Sequence, residues 1–127
     1  FAAFDGSRPT LFISEGVTMY LTEDEIAHMF QSIRNLSGAG TKFLFTALEP
    51  RESPRNNTRL ALFLYLKLIG EPIKWSIEAP RLGAFLEKQG CVLHSIDATE
   101  DFKKRYLRSG SQPRLHHGEY VAMAEFQ

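Results

Sequence analysis

Two short apolar runs flank an amphipathic helical pattern within the first 48 residues, and this arrangement constrains the fold most strongly. The run over residues 10–14 follows a proline, which suits the first residues of a strand, and we interpret it as a buried strand. Thr22 and Glu25 have the spacing of a capping box, so a helix is predicted to begin there and to end near Gly38. Residues 41–48 are predicted to form a second strand, buried on both faces. A strand, a helix and a strand in this order predict a parallel pair and an α/β fold.

The rest of the chain continues this alternation. A loop over 49–54 is predicted to lead into a strongly apolar helix over 55–69, whose surface needs cover on more than one side. Beyond it, the pattern predicts an extended segment over 73–77, a short helix that ends at Gly90, a third strand over 91–96, a short helix over 101–107, a flexible loop over 109–113 and a closing strand over 118–126.

Composition excludes several classes of function. Fifteen Lys and Arg balance fifteen Asp and Glu, which removes the charge signature of a protein that binds nucleic acid or an anionic membrane. The longest apolar run, 60–66, is far shorter than the roughly 20 residues that cross a bilayer. The single cysteine, Cys91, excludes an internal disulfide, and no secretory signal is recognised, so we expect a cytoplasmic protein. The 127 residues are expected to form a single domain, and a start at Phe1 suggests a piece of a longer chain.

Two motifs carry a family resemblance. Residues 8–21, RPTLFISEGVTMYL, contain a strand pattern, then Glu-Gly-Val, then Tyr-Leu before a helix; residues 70–75, GEPIKW, precede a second helix. In these segments the chain resembles the C-terminal half of the leucine carboxyl methyltransferase family, a branch of the class I methyltransferases that use S-adenosylmethionine. The resemblance implies a Rossmann-like mixed sheet with helices on both faces. The four strands would be its fourth to seventh, with the last one antiparallel between the second and third strands of this chain.

The resemblance also implies a site for S-adenosylmethionine. Glu15 would pair with the ammonium group of its methionine part, Gly16 would let the backbone pass close to the ligand, and Tyr20 would line the mouth of the site. Each residue also has a purely structural interpretation. Glu15 would be a solvated or helix-capping acid, Gly16 would permit a tight turn, and Tyr20 would be a packing residue. The acceptor would be a hydroxyl or carboxyl oxygen on a small molecule, and no catalytic residue is assigned.

The family's glycine-rich cofactor turn belongs to its N-terminal half and is not found in this chain. Gly38-Ala39-Gly40 does not replace it, because this tripeptide follows a helix and precedes a strand, whereas a cofactor loop follows a strand. We therefore expect that residues 1–127 alone do not bind the cofactor tightly.

Other reactive residues are interpreted as structural. His116 and His117 would point to opposite faces of a strand or lie in a polar loop before it, so no metal site is predicted. Cys91 and His94 also have a spacing that separates their side chains across a strand, which favours a buried cysteine over a nucleophile with its base. Trp75 suits the core or an interface at least as well as a substrate contact.

A non-catalytic α/β interaction module is the alternative function. In that hypothesis the apolar helix and an exposed edge at the first strand are the binding surfaces, and the chain forms a homodimer or a larger assembly through one of them. A flavodoxin-like binding domain shares the order of strands and helices, but no phosphate loop follows the first strand.

Overall fold

The computed structural model describes residues 5–108 and 114–127 of the chain. Within them there are four strands, four helices and one short 3-10 turn at Thr18–Tyr20, and helices follow every strand except the last. In chain order the elements are β1 (Leu11–Ser14), α1 (Glu23–Leu36), β2 (Lys42–Leu48), α2 (Leu60–Leu68), α3 (Ala79–Lys88), β3 (Cys91–Asp97), α4 (Thr99–Tyr106) and β4 (Glu119–Phe126).

The described strands form one mixed sheet in the order β1-β2-β4-β3. β1 and β2 are parallel, with Leu11 opposite Lys42, and β4 lies antiparallel between β2 and β3. This order confirms the predicted insertion of the last strand between the second and third. It also brings the ends of β1 and β2 and the start of β4 to the same end of the sheet. We call this end, where the strand termini lie, the carboxyl edge; it is distinct from the outer edge formed by β1.

The core lies between one face of the sheet and helices α1 and α3. Phe30 of α1 is at its centre, where its ring contacts Phe43 and Phe45 of β2 edge to face at centroid distances of 5.3 and 5.8 Å. The α3 side chains Leu82, Phe85 and Leu86 and the even-numbered residues of β4 complete this cluster. Aromatic pairs in this geometry add to the free energy gained by burial, so the packing fixes how α1 sits across the sheet.

The predicted capping box of α1 is present. The Thr22 hydroxyl accepts a hydrogen bond from the Glu25 backbone N–H, and the Glu25 carboxylate accepts one from the Thr22 backbone N–H at 2.7 Å. These hydrogen bonds from the Thr22 backbone and side chain lower the pKa of Glu25. The helix begins and ends where the sequence predicts.

Two predictions need correction, and the segment predicted to be extended over 73–77 lies outside the sheet. β1 is an edge strand rather than a buried one, because Leu11 and Ile13 are 54% and 65% exposed on the face opposite the core. On that same face Lys42 and Leu44 of β2 are only half-buried, so β2 is buried on both faces only in its later residues. Residues 73–77 join no strand of the sheet; their backbone instead bonds to Met19 and Leu48.

The apolar helix is shorter than predicted. It begins at Leu60 rather than at residue 55, because side chains in the preceding residues form hydrogen bonds with backbone groups that a helix would otherwise pair. Asn56 Oδ1 accepts a hydrogen bond from the Thr58 N–H at 2.9 Å, and Asn56 Nδ2 donates to the Glu49 carbonyl at 2.7 Å. Such side-chain bonds to the backbone compete with helix formation. The predicted loop over 109–113 lies outside the described residues.

None of the helices in the two described segments combines the length and the apolar character that crossing a bilayer requires.

Candidate functional site

The turn after β1 carries two of the three predicted site residues, and it is attached to the end of β2. Gly16 donates its backbone N–H to the Thr46 hydroxyl at 2.8 Å, and the buried Thr18 hydroxyl donates to the Thr46 carbonyl at 2.5 Å. Gly16 has φ +68°, a backbone conformation that favours glycine, so the shape of the turn accounts for a glycine at this position. The space where a Cβ would project is open. Thr46 therefore fixes the turn at the carboxyl edge, where open α/β sheets bind their ligands.

Glu15 lies between β1 and this fixed turn. Its side chain is exposed, and in the described part of the chain it makes no hydrogen bond or ion pair. The alternative in which Glu15 caps the next helix does not apply, since Glu25 provides the capping-box carboxylate of α1. The exposure of Glu15 agrees with the alternative of a solvated acid, and such a carboxylate is also able to pair with a cationic ligand group.

Tyr20 is at the end of the 3-10 turn and lines a cavity of about 220 Å³. The walls of this cavity, here called the Tyr20 pocket, come from the turn, α2, the Ile73 segment and the start of β4. Its polar lining consists of Tyr20, Thr58, His116 and Glu119. The structure thus brings Tyr20 to a cavity beside the turn of Glu15 and Gly16, as a site at the carboxyl edge requires.

A buried acid, Glu49, follows β2 in the same way that Glu15 follows β1. It is 2% exposed, and its two carboxylate oxygens accept hydrogen bonds from the Ser53 hydroxyl at 2.9 Å and from the Ala79 backbone N–H at 3.1 Å. Tyr120 lies nearby and donates its hydroxyl to the Ile77 carbonyl at 2.8 Å. Burial, and secondarily the Glu49 charge, raise the pKa of Tyr120. This cluster is saturated with protein partners, so Glu49 has a structural role.

The adjacent histidines lie in the segment before β4, not on a strand. His116 Nε2 is 3.5 Å from the Thr58 hydroxyl, whereas His117 Nε2 is 3.8 Å from a Glu100 carboxylate oxygen. Asn57 fixes the segment by bonding to the His117 backbone N–H and carbonyl. In the described part of the chain no group of three or more His, Cys, Asp or Glu side chains is arranged to hold a metal ion.

The remaining candidates are structural, as the sequence favoured. Cys91 is buried, and burial raises the pKa of its thiol despite the nearby Arg34. His94 is on the other face of the sheet, where its Nε2 lies 2.6 Å from Glu125 Oε2. Trp75 is buried and packs on Phe85 at a centroid distance of 5.5 Å.

Sequence reasoning missed Thr46, Glu49 and Glu119. Thr46 had a detectable signal, because it is a polar residue that follows three consecutive apolar residues of a strand, and Glu49 had the same position after a strand as Glu15. Glu119 gave no comparable signal. Its place in the Tyr20 pocket follows from its register opposite Leu48, which only strand pairing sets.

Comparison with protein families gives one match: the sequence profile described as leucine carboxyl methyltransferase matches residues 2–34. The matched segment contains β1, the Glu15 turn and nearly all of α1. The resemblance to the leucine carboxyl methyltransferase family is confirmed for the first motif, whereas residues 70–75 lie outside the match. A search of curated protein sequences finds no match to the chain.

Several solved structures have the same fold, and some of them are complexes with S-adenosylmethionine. A DUF574 family protein from Streptomyces avermitilis superposes on 97% of the chain with a TM-score of 0.68 and 14% identity. LepI in complex with SAM covers 92% with a TM-score of 0.58 and 11% identity. The glycopeptide N-methyltransferase MtfA, also complexed with S-adenosylmethionine, covers 98% with a TM-score of 0.54 and 15% identity.

The fold is therefore that of a Rossmann-like methyltransferase sheet, as the family resemblance implied. The chain spans 46%, 26% and 56% of the lengths of these three structures, respectively.

Proposed function

We propose that the protein is a methyltransferase that uses S-adenosylmethionine and transfers the methyl group to an oxygen of a small-molecule acceptor. The observation that carries the proposal is the Glu15 carboxylate, which lies exposed after β1, beside a turn fixed by Thr46, and has no partner among residues 5–108 and 114–127. An ammonium group such as that of the donor's methionine part is a suitable partner for such a carboxylate. The family match and the cofactor-bound structures of the same fold support this assignment.

Three residues of this chain are assigned to the donor. Glu15 binds its ammonium group, Gly16 keeps the space above the turn clear of a side chain, and Tyr20 lies at the adjacent pocket. When bound, the donor would supply a methyl group on a cationic sulfur. The carbon–oxygen bond to the acceptor would form as the carbon–sulfur bond breaks, and the acceptor's proton would pass to water. Alignment of the acceptor with this bond supplies much of the acceleration, so the protein's contribution is chiefly positioning.

Binding of S-adenosylhomocysteine to the full-length protein tests the donor site. Calorimetric titration should show binding that weakens at least about tenfold in Glu15→Gln, which is the usual effect of losing a charged hydrogen-bonded pair. Glu23→Gln is the matched control, because Glu23 is another exposed carboxylate, on the first turn of α1, and should change binding less than about twofold. Absence of binding, or equal weakening in both variants, would refute the assignment.

The acceptor atom needs a separate assay, since MtfA of the same fold is an N-methyltransferase while the matched family is named for carboxyl methylation. Full-length protein, labelled donor and a cell extract will yield labelled products. Methyl esters release methanol in mild base, whereas methyl ethers and methylamines do not, and ethers separate from amines by cation exchange. Label found only in amines would refute an oxygen acceptor.

The second candidate is an interaction module that self-associates. Two exposed apolar surfaces favour it: α2 has no buried residue, with Leu68 86% exposed, and β1 presents Leu11 and Ile13 at the sheet edge. Apolar edges of this kind tend to pair with another chain. We propose that the occupant is a second copy of the protein.

Light scattering of the full-length protein tests self-association. Leu64→Glu on α2 should shift the protein toward monomer, while Lys67→Glu, which changes an exposed polar position of the same helix, should not. A monomer at high protein concentration would contradict self-association. Donor binding and methyl transfer would favour the enzyme over a purely structural module.

A further inference from the structure

The Tyr20 pocket has the size and lining of a binding site for a small apolar ring. Its volume of about 220 Å³ exceeds the roughly 150 Å³ of an engineered cavity that binds benzene. Most of the lining is apolar: α2 contributes Leu62, Phe63 and Leu66, and β2 contributes Leu48. This space fits one substituted ring rather than an extended molecule.

Hydrogen bonds fix the backbone of the pocket walls at two places. The Met19 carbonyl, one residue before Tyr20, accepts hydrogen bonds from the Lys74 and Trp75 backbone N–H groups at 2.8 and 3.3 Å. On the opposite side, the Thr99 hydroxyl donates to the His116 carbonyl at 2.8 Å. These bonds fix the backbone of the segments that carry Tyr20 and His116 before any ligand enters.

The pocket contains one carboxylate, that of Glu119, and one imidazole, that of His116. Glu119, the first residue of β4, is half-buried, and in the described residues its carboxylate has no hydrogen-bond or ion-pair partner. It pairs in register with Leu48, so both side chains lie on the same face of the sheet. Among the described residues, neither Lys nor Arg lines the pocket.

These features discriminate between classes of methyl acceptor. A hydroxyl can donate a hydrogen bond to the Glu119 carboxylate, whereas a carboxylate ligand has no proton to donate and is repelled. An ammonium would pair with Glu119, but that pairing stabilises the protonated form, which has no lone pair for a methyl group. A neutral hydroxyl is the group that both fits the charge and retains a nucleophilic oxygen.

We infer that the Tyr20 pocket binds the methyl acceptor and selects a neutral, ring-sized hydroxyl compound over a carboxylate, through its apolar α2 wall and the Glu119 carboxylate. This inference rests on the proposed methyltransferase function and narrows it from an oxygen acceptor to a hydroxyl.

The test uses the full-length protein saturated with S-adenosylhomocysteine, and three probes of one shape: 4-ethylphenol, 4-ethylbenzoate and 4-ethylbenzylamine. Calorimetry should show the phenol binding at least about tenfold more tightly than the benzoate. Glu119→Gln removes the charge at constant shape and should reduce that preference to about threefold or less, by strengthening benzoate binding and weakening phenol binding. Leu66→Trp should abolish phenol binding by filling the pocket, whereas Leu68→Trp, on the exposed side of the same helix, should not.

Three outcomes would overturn the inference: benzoate or benzylamine binding as tightly as the phenol, no phenol binding at millimolar concentration, or phenol binding that survives Leu66→Trp. The preceding titration of S-adenosylhomocysteine is independent of these probes. If the donor binds and the phenol does not, the pocket assignment fails while the methyltransferase proposal stands. If the donor itself does not bind, the methyltransferase proposal fails first.

Discussion

The Glu49 carboxylate connects the end of β2 to the start of α3, because its Oε1 accepts a hydrogen bond from the Ala79 backbone N–H at 3.1 Å. Ala79 is the first residue of α3, so a buried negative charge lies against a helix N-terminus, where it is stabilised by the unpaired backbone donors and the helix dipole. The same carboxylate accepts a hydrogen bond from the Ser53 hydroxyl. One acidic side chain thus holds a strand, a loop and a helix together beside the carboxyl edge.

Replacing Glu49 should therefore destabilise the protein. Glu49→Ala leaves the Ala79 N–H and the Ser53 hydroxyl without their acceptor, at a cost of about 3 kcal/mol in the free energy of unfolding. Glu49→Gln keeps an acceptor for Ala79 and should cost less. Urea denaturation followed by circular dichroism measures the change. Glu87→Ala, an exposed acid on α3, is the control and should cost under about 0.5 kcal/mol. Equal losses for Glu49→Ala and Glu87→Ala would disprove the connecting role.

Two glycine-to-alanine substitutions should change stability in opposite directions. Gly16 has φ +68°, so Gly16→Ala places a Cβ in the left-handed region and should cost about 1 kcal/mol, although no neighbouring atom obstructs it. Gly83 is inside α3, where an added Cβ meets only Leu93 Cδ2 at 3.9 Å, an ordinary contact. Gly83→Ala should therefore stabilise the helix by about 0.5–1 kcal/mol. Thermal unfolding of the two variants measures these changes in stability. A gain in the stability of Gly16→Ala would contradict the prediction and would show that the turn relaxes.

Tyr120 should make stability fall at alkaline pH. Burial, and secondarily the Glu49 charge, raise its pKa in the folded protein, whereas in the unfolded chain it ionises near its ordinary value of 10.0. Its contribution is complete below pH 10 and is lost as pH rises toward the folded pKa, because only the unfolded chain then releases the proton. The slope should approach about 1.4 kcal/mol per pH unit.

The variant Tyr120→Phe isolates this effect. It loses the hydrogen bond to the Ile77 carbonyl at neutral pH, but its unfolding free energy should decline less steeply than wild type between pH 10 and 11. Tyr106→Phe removes an exposed tyrosine and should keep the wild-type slope. Parallel curves for wild type and Tyr120→Phe would mean that Tyr120 ionises freely in the folded state.

Cys91 should be unreactive in the folded protein. Burial raises the pKa of its thiol, so little of the nucleophilic thiolate exists at pH 8, and the side chain is closed to solvent. Labelling by iodoacetamide, followed by mass spectrometry of the Cys91 peptide, should be at least about 100-fold slower in buffer than in denaturant. Ser95→Cys places a thiol at an exposed position of the same strand and should label rapidly. Rapid labelling of Cys91 in buffer would contradict its burial.

Local patterns in the sequence determined a large part of this fold. The Thr22 and Glu25 capping box, the apolar spacing of α1 and Gly90 after α3 each act within a few residues, so they set element type and boundaries before any tertiary contact forms. The same reasoning failed at residues 55–59. There Asn56 bonds to Glu49, which is seven residues away and comes within reach only when the chain folds.

The candidate site was determined partly by the local sequence and partly by the tertiary structure. Local sequence sufficed for Glu15 and Gly16, because a strand followed by a turn places both at the carboxyl edge. The family resemblance, rather than spacing, gave them a role with the donor. Their fixation by Thr46 depends on hydrogen bonds between parallel neighbours 28 and 30 residues apart in the chain.

Only the tertiary structure decided the Tyr20 pocket. Tyr20, Leu66 and Glu119 lie on three separate elements, and no periodicity within one segment relates them. Strand register brings Glu119 opposite Leu48, and the backbone bonds of Met19 and His116 shape the walls. The sequence by itself determined which segments are helices and strands and which acid ends β1, since those depend on neighbours along the chain. The exposed face of β1, the shortened α2 and the charge inside the pocket depend on pairing and packing between distant segments, so only the folded chain revealed them.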